Sequence, residues 1–469
     1  MTAKKKTRLR RVLGWIGRAV LFIFILLAAT FAYYRLRGPT EEQQAALALM
    51  RKDYRPTQGV NAFPLLFYLG YDVPADRLDA QMAVDVEKVR KWLAANPDFS
   101  SYDSDVQPLP TLSEAEKAVL CDANGMGCLA QVAAHEDAVR AALAAHAATA
   151  QSAQAFERAD FFWNEFPADP RSPFFPTSKT RDSDPGLGAR LWLSAFALRY
   201  AEGDRAGALA ATCRNLAAWR RMARGSNVLM GTLAASLRMD GAIRLYADML
   251  SGFPADETVP EDCALALQPV VEADVDRCAA MAGEFAMQES TLGWTSAAYP
   301  KASWFERRRL DVMFDMRQTL AWQAQNLAPA CGSDAVARLL ADELPRREKP
   351  GSFLFFPVPP GAKGPECIAN GFGCVLAGMA TLNYGQYDAR ALDHAAHLRL
   401  AATLLWLREH PEGSIAERFA RRPAQLRSPN HESSFDTERG ALYVKNLYRP
   451  SPPQEDRLRL DLPVAAAAR

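Results

Sequence analysis

Residues Val12 to Tyr34 form a run of 23 interrupted by a single charge, Arg18. As a helix rising 1.5 Å per residue the run reaches about 34 Å, enough to cross a hydrocarbon core of about 30 Å. Arg18 lies within two turns of its start, where a long side chain snorkels to the headgroups. The first 37 residues contain no acid and nine bases, with Lys4, Lys5, Lys6, Arg8, Arg10 and Arg11 ahead of the run and Arg35 and Arg37 behind it. The heavier cluster comes first, which predicts a cytoplasmic N-terminus and export of the rest across a bacterial inner membrane into the periplasm. Tyr33 and Tyr34 suit an interfacial belt. A cleaved signal peptide is the competing reading, with Thr30 and Ala32 at the −3 and −1 positions, but its apolar core is normally about 7–15 residues. Both readings export most of the chain.

The cysteines point the same way. All eight follow the apolar run, at Cys121, Cys128, Cys213, Cys263, Cys278, Cys331, Cys367 and Cys374. An even count confined to the exported part predicts disulfides in an oxidising compartment. Two segments repeat one motif: CDANGMGCL at 121–129 and CIANGFGCV at 367–375. Each places an Asn-Gly turn between cysteines in Cys-x6-Cys spacing, so Cys121–Cys128 and Cys367–Cys374 are expected as local staples. The other four allow three connectivities, of which Cys263–Cys278 with Cys213–Cys331 is the weak preference. Cys-x6-Cys is not zinc spacing, and a calcium loop fails in the second copy, where Ile368 replaces Asp122.

Beyond residue 37 the pattern is helical nearly throughout, and 49% hydrophobic with 23% charged residues excludes wholesale disorder. Thr40 and Gln43 fit a capping box. Asn61 opens NAFPLLFYLGY, where Pro64 is tolerated in a first turn. Leu78, Met82, Val86, Val89 and Leu93 recur at helical spacing. An Ala-rich stretch from Leu129 to Trp163 suits one or two helices. Prolines at 167, 170, 173, 176 and 185 mark a long loop or boundary. Helices are expected over about 186–202, 205–223, 226–251, 271–291 and 303–328. The segment from Ala197 through Gly203 and Asp204 to Ala208 resembles the bend of a tetratricopeptide-type hairpin. No second copy follows at that period, so one helical hairpin is expected and not an array. Leu392 to Arg408 forms an apolar helix, and Ala441 to Leu447 with Arg457 to Leu462 alternate as two strands.

The expected fold is therefore mainly α: an N-terminal transmembrane helix, an irregular helical domain built on hairpins, and a small C-terminal β-hairpin. The corresponding divisions are 1–11 as basic tail, 12–34 as anchor, 38–165 and 185–430 as periplasmic helical regions, and 431–469 as hairpin and tail.

Chemical signatures are sparse. No Walker loop, dinucleotide glycine pattern, G-x-S-x-G or H-E-x-x-H occurs, so no cofactor is expected and the chain reads as leaning away from an enzyme. His394 and His397 share a helix face and offer two metal ligands, with no third evident in sequence, so no metal is assigned. Gln288-Glu289-Ser290 resembles the Glu-Ser carrying the general acid of lytic transglycosylases. That likeness makes Glu289, with Glu284 as an equal candidate, the possible acid of an envelope glycan-cleaving enzyme. The Gly-Ala-x-Gly-Leu-Met-Gln stretch of that family is missing, because TLGWTSAAYPKASWF follows instead. Arg214, Arg220, Arg221, Arg224 and the run Arg307 to Arg309 beside Trp304 and Phe305 read as a solvated helix face laced with salt bridges, with an anionic glycan, phospholipid headgroups or a partner's acidic face as the alternative ligands. FLFFPVPP at 353–360 either folds back or docks elsewhere.

NAFPLLFYLGYDVP and CRNLAAWRRM with CAAMAGEFAM are similar to segments of uncharacterised bacterial membrane-anchored proteins with Ala- and Arg-rich exported helical domains. The resemblance implies location and fold and brings no activity. The expected role is a non-enzymatic binding or assembly factor of the cell envelope, touching the lipid bilayer through 12–34 and an envelope protein through its exported surface. A lipid or hydrophobic-ligand carrier is a further alternative. Removing nine bases from 55 leaves 46 against 54 acids, a formal −8 for the remainder, which argues against nucleic acid as partner.

Overall fold

The computed structural model describes residues 3–96, 105–172, 186–297, 303–345, 351–353, 356–359, 362–380, 384–431, 433–438, 440–448 and 457–461. Its longer helices are α1 (Ala3–Arg37), α2 (Glu41–Met50), α3 (Leu78–Ala95), α4 (Leu187–Ala201), α5 (Arg205–Arg224) and α6 (Leu229–Ser251). They continue with α7 (Cys278–Ala297), α8 (Trp304–Met313), α9 (Met316–Leu327), α10 (Ser333–Leu340), α11 (Gly371–Ala380) and α12 (Tyr384–Glu409). The strands are β1 (Gly351–Phe353), β2 (Phe356–Val358), β3 (Ser433–Asp436), β4 (Ala441–Lys445) and β5 (Arg457–Asp461). The fold is mainly α, as expected. By contact the chain divides into two units, each discontinuous: 1–52 with 292–329 and 347–384, and 53–291 with 330–346 and 385–469.

In the first unit every residue from Val12 to Ala29 is exposed, so none of the described residues covers the apolar surface of α1 over that stretch. This helix is long and apolar enough to span a membrane. Three residues separate it from α2, and Arg35 hydrogen-bonds the carbonyls of Asp311 and Phe314 while lying 3.6 Å from Asp315. The capping box opens α2 as expected: Gln43 N donates to Thr40 Oγ1 (3.3 Å) and Thr40 N to Gln43 Oε1 (2.9 Å). The helix expected over 303–328 is instead broken after Met313. Asp315 leaves helical geometry to cap α9, accepting from Gln318 N at 3.2 Å. Asn370 fixes that break, accepting from Asp315 N (2.8 Å) and donating to Asp315 O (3.1 Å) and Thr319 Oγ1 (2.9 Å).

The Cys367–Cys374 staple forms, but its Asn-Gly is no turn: Gly371 starts α11, and Gly373 N donates to Asn370 Oδ1 (3.2 Å). A Cβ at Gly373 would collide with Thr319 and Asn370, which accounts for glycine there. The FLFFPVPP segment contributes to an antiparallel pair, β1 with β2, and buries Val358 beside Trp322 and the disulfide. Leu354, Phe355 and Pro360 lie outside the described residues.

The second unit is organised by α4, α5 and α6. At the α4–α5 bend Gly203 takes φ +101°, and Asp204 accepts from Gly207 N (3.0 Å) while pairing with Arg199. Trp192, Trp219 and Phe156 stack within this core, with Phe156 4.9 and 4.4 Å from the two indoles. The Ala-rich stretch, expected as one or two helices, is four: Cys128–Ala134, Glu136–Ala145, Ala147–Gln151 and Ala153–Glu157. His135 and His146 leave helical geometry between them, and a chain of small side chains bends cheaply around the aromatic core. The C-terminal sheet has three antiparallel strands in the order β3-β4-β5, so the expected hairpin gains the polar strand β3.

All eight cysteines are paired. Cys121–Cys128 forms as expected, around a turn in which Gly125 (φ +72°) and Gly127 (φ +61°) are left-handed. The preferred pairing of the other four is overturned. Cys213 on α5 meets Cys263 on the short helix Glu261–Ala266 packed against it, and Cys278 at the start of α7 meets Cys331. Proximity in sequence misled the preference, since helix packing places Cys263 on α5.

Candidate functional site

The second unit brings together polar groups that the sequence leaves far apart. His394 and His397 share a face of α12, as their spacing requires. Asp240 reaches them from α6, 157 residues before His397. Asp240 is the one acid in the segment SLRMDGAIRLY, between Arg238 and Arg244, and Gly241 beside it matters. A Cβ at Gly125 would collide with the Gly241 carbonyl, so the Cys121–Cys128 loop sits directly on α6. Arg244 and Arg238 hold the loop there, donating to Asn124 O (2.9 Å) and Ala123 O (3.2 Å). One staple found in the sequence thus braces the helix that carries the acid.

His397 is buried; its Nε2 donates to Asn446 Oδ1 (2.9 Å), and its Nδ1 lies 2.7 Å from Asp240 Oδ1. His394 Nδ1 lies 3.4 Å from the same Asp240 oxygen, in a geometry that makes no hydrogen bond, and is sealed from solvent. The two imidazoles meet edge to face at 5.9 Å. Burial alone would raise the Asp240 carboxyl, but His397 and His394 outweigh it and hold the group far below the usual carboxylate range. Burial would likewise lower His397, and Asp240 reverses that and raises it.

A second buried histidine, His431, contacts Asp393, the neighbour of His394 on α12. His431 bridges Asp342 (Nδ1, 2.7 Å) and Asp393 (Nε2, 3.2 Å), and Arg399 stands 3.5 Å from Asp342. Asp393 also accepts from the backbone N–H groups of Leu447 (2.6 Å) and Tyr448 (3.0 Å). Residues 393 and 397 of α12 therefore grip the segment leaving β4. Burial opposes a proton on His431, yet the two carboxylates raise its pKa to about 9.

His394 also lines a cavity of about 30 Å³, with Ser236, Arg220, Arg277, Tyr387 and Arg390 among its walls. That volume holds an ion or about two waters, and lends nothing to a lipid-sized ligand. Its arginines are engaged. Arg220 pairs with Asp274 (2.7 Å), Arg277 with Asp388, and Arg390 stacks 3.9 Å over Tyr448. Arg214 binds Glu157 (2.8 Å) and Asp262 (3.0 Å), Arg224 binds Asp274 (2.7 Å), and Arg221 donates to the carbonyls of Ala159 and Glu157. The basic row on α5 is laced with salt bridges as expected, but it is not a solvated face: Arg220 is buried, and Arg214, Arg221 and Arg224 are partly buried.

Glu284 and Glu289 are half-buried on α7, and neither lines the cavity. Ser290 donates to Asp169 (3.3 Å), and Glu284 is near enough to Tyr387 to reinforce the rise that burial gives that phenol. Sequence reasoning found His394 and His397 and missed Asp240 and Asn446. Nothing in the local sequence marked Asp240, which lies between Arg238 and Arg244. No protein-family model, curated protein or solved structure matches this chain.

Proposed function

We propose that this chain is a single-pass inner-membrane protein whose disulfide-bonded helical region lies in the periplasm and serves as a non-enzymatic binding or assembly factor of the envelope. The observation that carries the reading is α1. Its apolar surface from Val12 to Ala29 is exposed while the rest of the chain buries its own core, which favours a lipid environment for α1. Four disulfides favour an oxidising compartment beyond that helix. The basic residues ahead of the span favour a cytoplasmic N-terminus.

The test joins topology to partnership. In spheroplasts, external protease should degrade the region beyond residue 37 and spare an N-terminal tag, and alkaline washing should leave the chain in the membrane. Crosslinking on intact cells should then give a discrete adduct with an envelope protein. A protected body refutes the orientation, and a chain that stays monomeric under all crosslinking conditions refutes the assembly role.

A further inference from the structure

Independently of the membrane reading, we propose that Asp240, His394 and His397 bind a divalent transition-metal ion of the zinc and cobalt class. One ligand atom from each residue falls within a single cluster, all lying within 4.8 Å of one another. They come from two packed helices, α6 and α12, and the acid's helix is braced by a disulfide loop, so the ligands are held by rigid elements and not by a flexible tail.

Three further observations point to an ion. First, His394 Nδ1 is sealed from solvent and makes no hydrogen bond, although a carboxylate oxygen stands 3.4 Å away. A buried polar atom without a partner is costly, and an ion placed between the two groups satisfies both. Second, the ring nitrogen of His397 facing away from the cluster donates to Asn446 Oδ1 at 2.9 Å. Ligating histidines characteristically donate their other N–H to such an oxygen, which fixes the ring and its tautomer. Third, His394 borders the 30 Å³ cavity, which has room for about two waters next to one of the three ligands.

The donor set selects the metal. Two imidazoles and one carboxylate suit zinc, cobalt, nickel or ferrous iron better than calcium or magnesium, which prefer an all-oxygen shell. All eight cysteines are occupied in disulfides, so no thiolate competes to draw a softer ion elsewhere.

The experiment is a Co²⁺ titration of the full, untagged chain in detergent, stripped beforehand with chelator, followed by displacement with Zn²⁺. One Co²⁺ per chain should bind with the visible absorption of a nitrogen and oxygen shell, and Zn²⁺ should displace it. His394→Gln should weaken binding at least about tenfold, and Asn446→Ala by about 10- to 100-fold through loss of the supporting oxygen. His410→Gln, on an exposed residue, should bind as the parent does. Failure of the parent chain to bind either ion overturns the proposal, as does parental affinity in His394→Gln. Should His394→Gln fold poorly by circular dichroism, Asn446→Ala decides in its place, and parental affinity there also overturns it.

Discussion

At the scale of single residues, His431 makes the sharpest statement about pH. It is enclosed by Asp342 and Asp393 with Arg399 behind, and its folded pKa of about 9 exceeds the unfolded value of about 6.5. Its proton therefore stabilises the fold fully below about pH 6.5, and that contribution falls away as pH rises through about 9. The difference is on the order of 3 kcal/mol. Urea unfolding should show stability declining across that window, and His431→Gln should flatten most of the decline. His397, also raised, contributes in the same direction and leaves a residual slope. An unchanged slope in His431→Gln would remove the two-carboxylate account. The glycines of the first staple give a second contrast. Gly125→Ala should cost on the order of 1–3 kcal/mol, because a positive φ and a collision with Gly241 act together. Gly127→Ala has open space around it and should lose only the smaller cost of its φ. Equal losses by denaturant midpoint would refute the docking of this loop on α6.

At the scale of elements, what could be read in advance was whatever is written locally. The spacing of Leu78, Met82, Val86 and Val89 marks α3, and Gly203 with Asp204 marks the α4–α5 bend, because each pattern rests on neighbours within a few turns. The break before α9 was hidden, since Asn370 dictates it from 55 residues away. Strand β3 was hidden as well, because its polar sequence pairs only when β4 is present. Asp240 escaped for the same reason: nothing near residue 240 mentions residues 394 and 397. Disulfide connectivity follows this rule too, and its energetics can be tested. Cys213–Cys263 closes a sequence separation of 50 and Cys121–Cys128 one of 7. The chain-entropy model assigns them about 4 and about 2 kcal/mol respectively. Paired serine substitutions should reproduce that order in unfolding midpoints, and a reversed order would point to packing, not loop closure, as the main term.

At the scale of the whole molecule, a formal charge near zero conceals a basic end and an acidic remainder, with +9 in the first 37 residues and −8 beyond them. In the proposed topology, the basic residues stay on the cytoplasmic side and the acidic remainder is exported. Replacing Lys4, Lys5, Lys6, Arg8, Arg10 and Arg11 with Gln should therefore disturb orientation. Protease protection in spheroplasts measures this, and unaltered orientation would show that the cluster does not set it.

The junction between α1 and α2 carries one more implication. Three residues and the grip of Arg35 on two carbonyls leave no slack where the helix meets the first unit. Such a connection is a stem and not a leash. A leashed domain sweeps a wide volume and meets partners in any orientation, at an effective concentration set by the tether's length. On the proposed membrane reading, a stemmed unit would keep one face toward the lipid and travel with its span, so that its encounters would be confined to two dimensions and to neighbours of matching height.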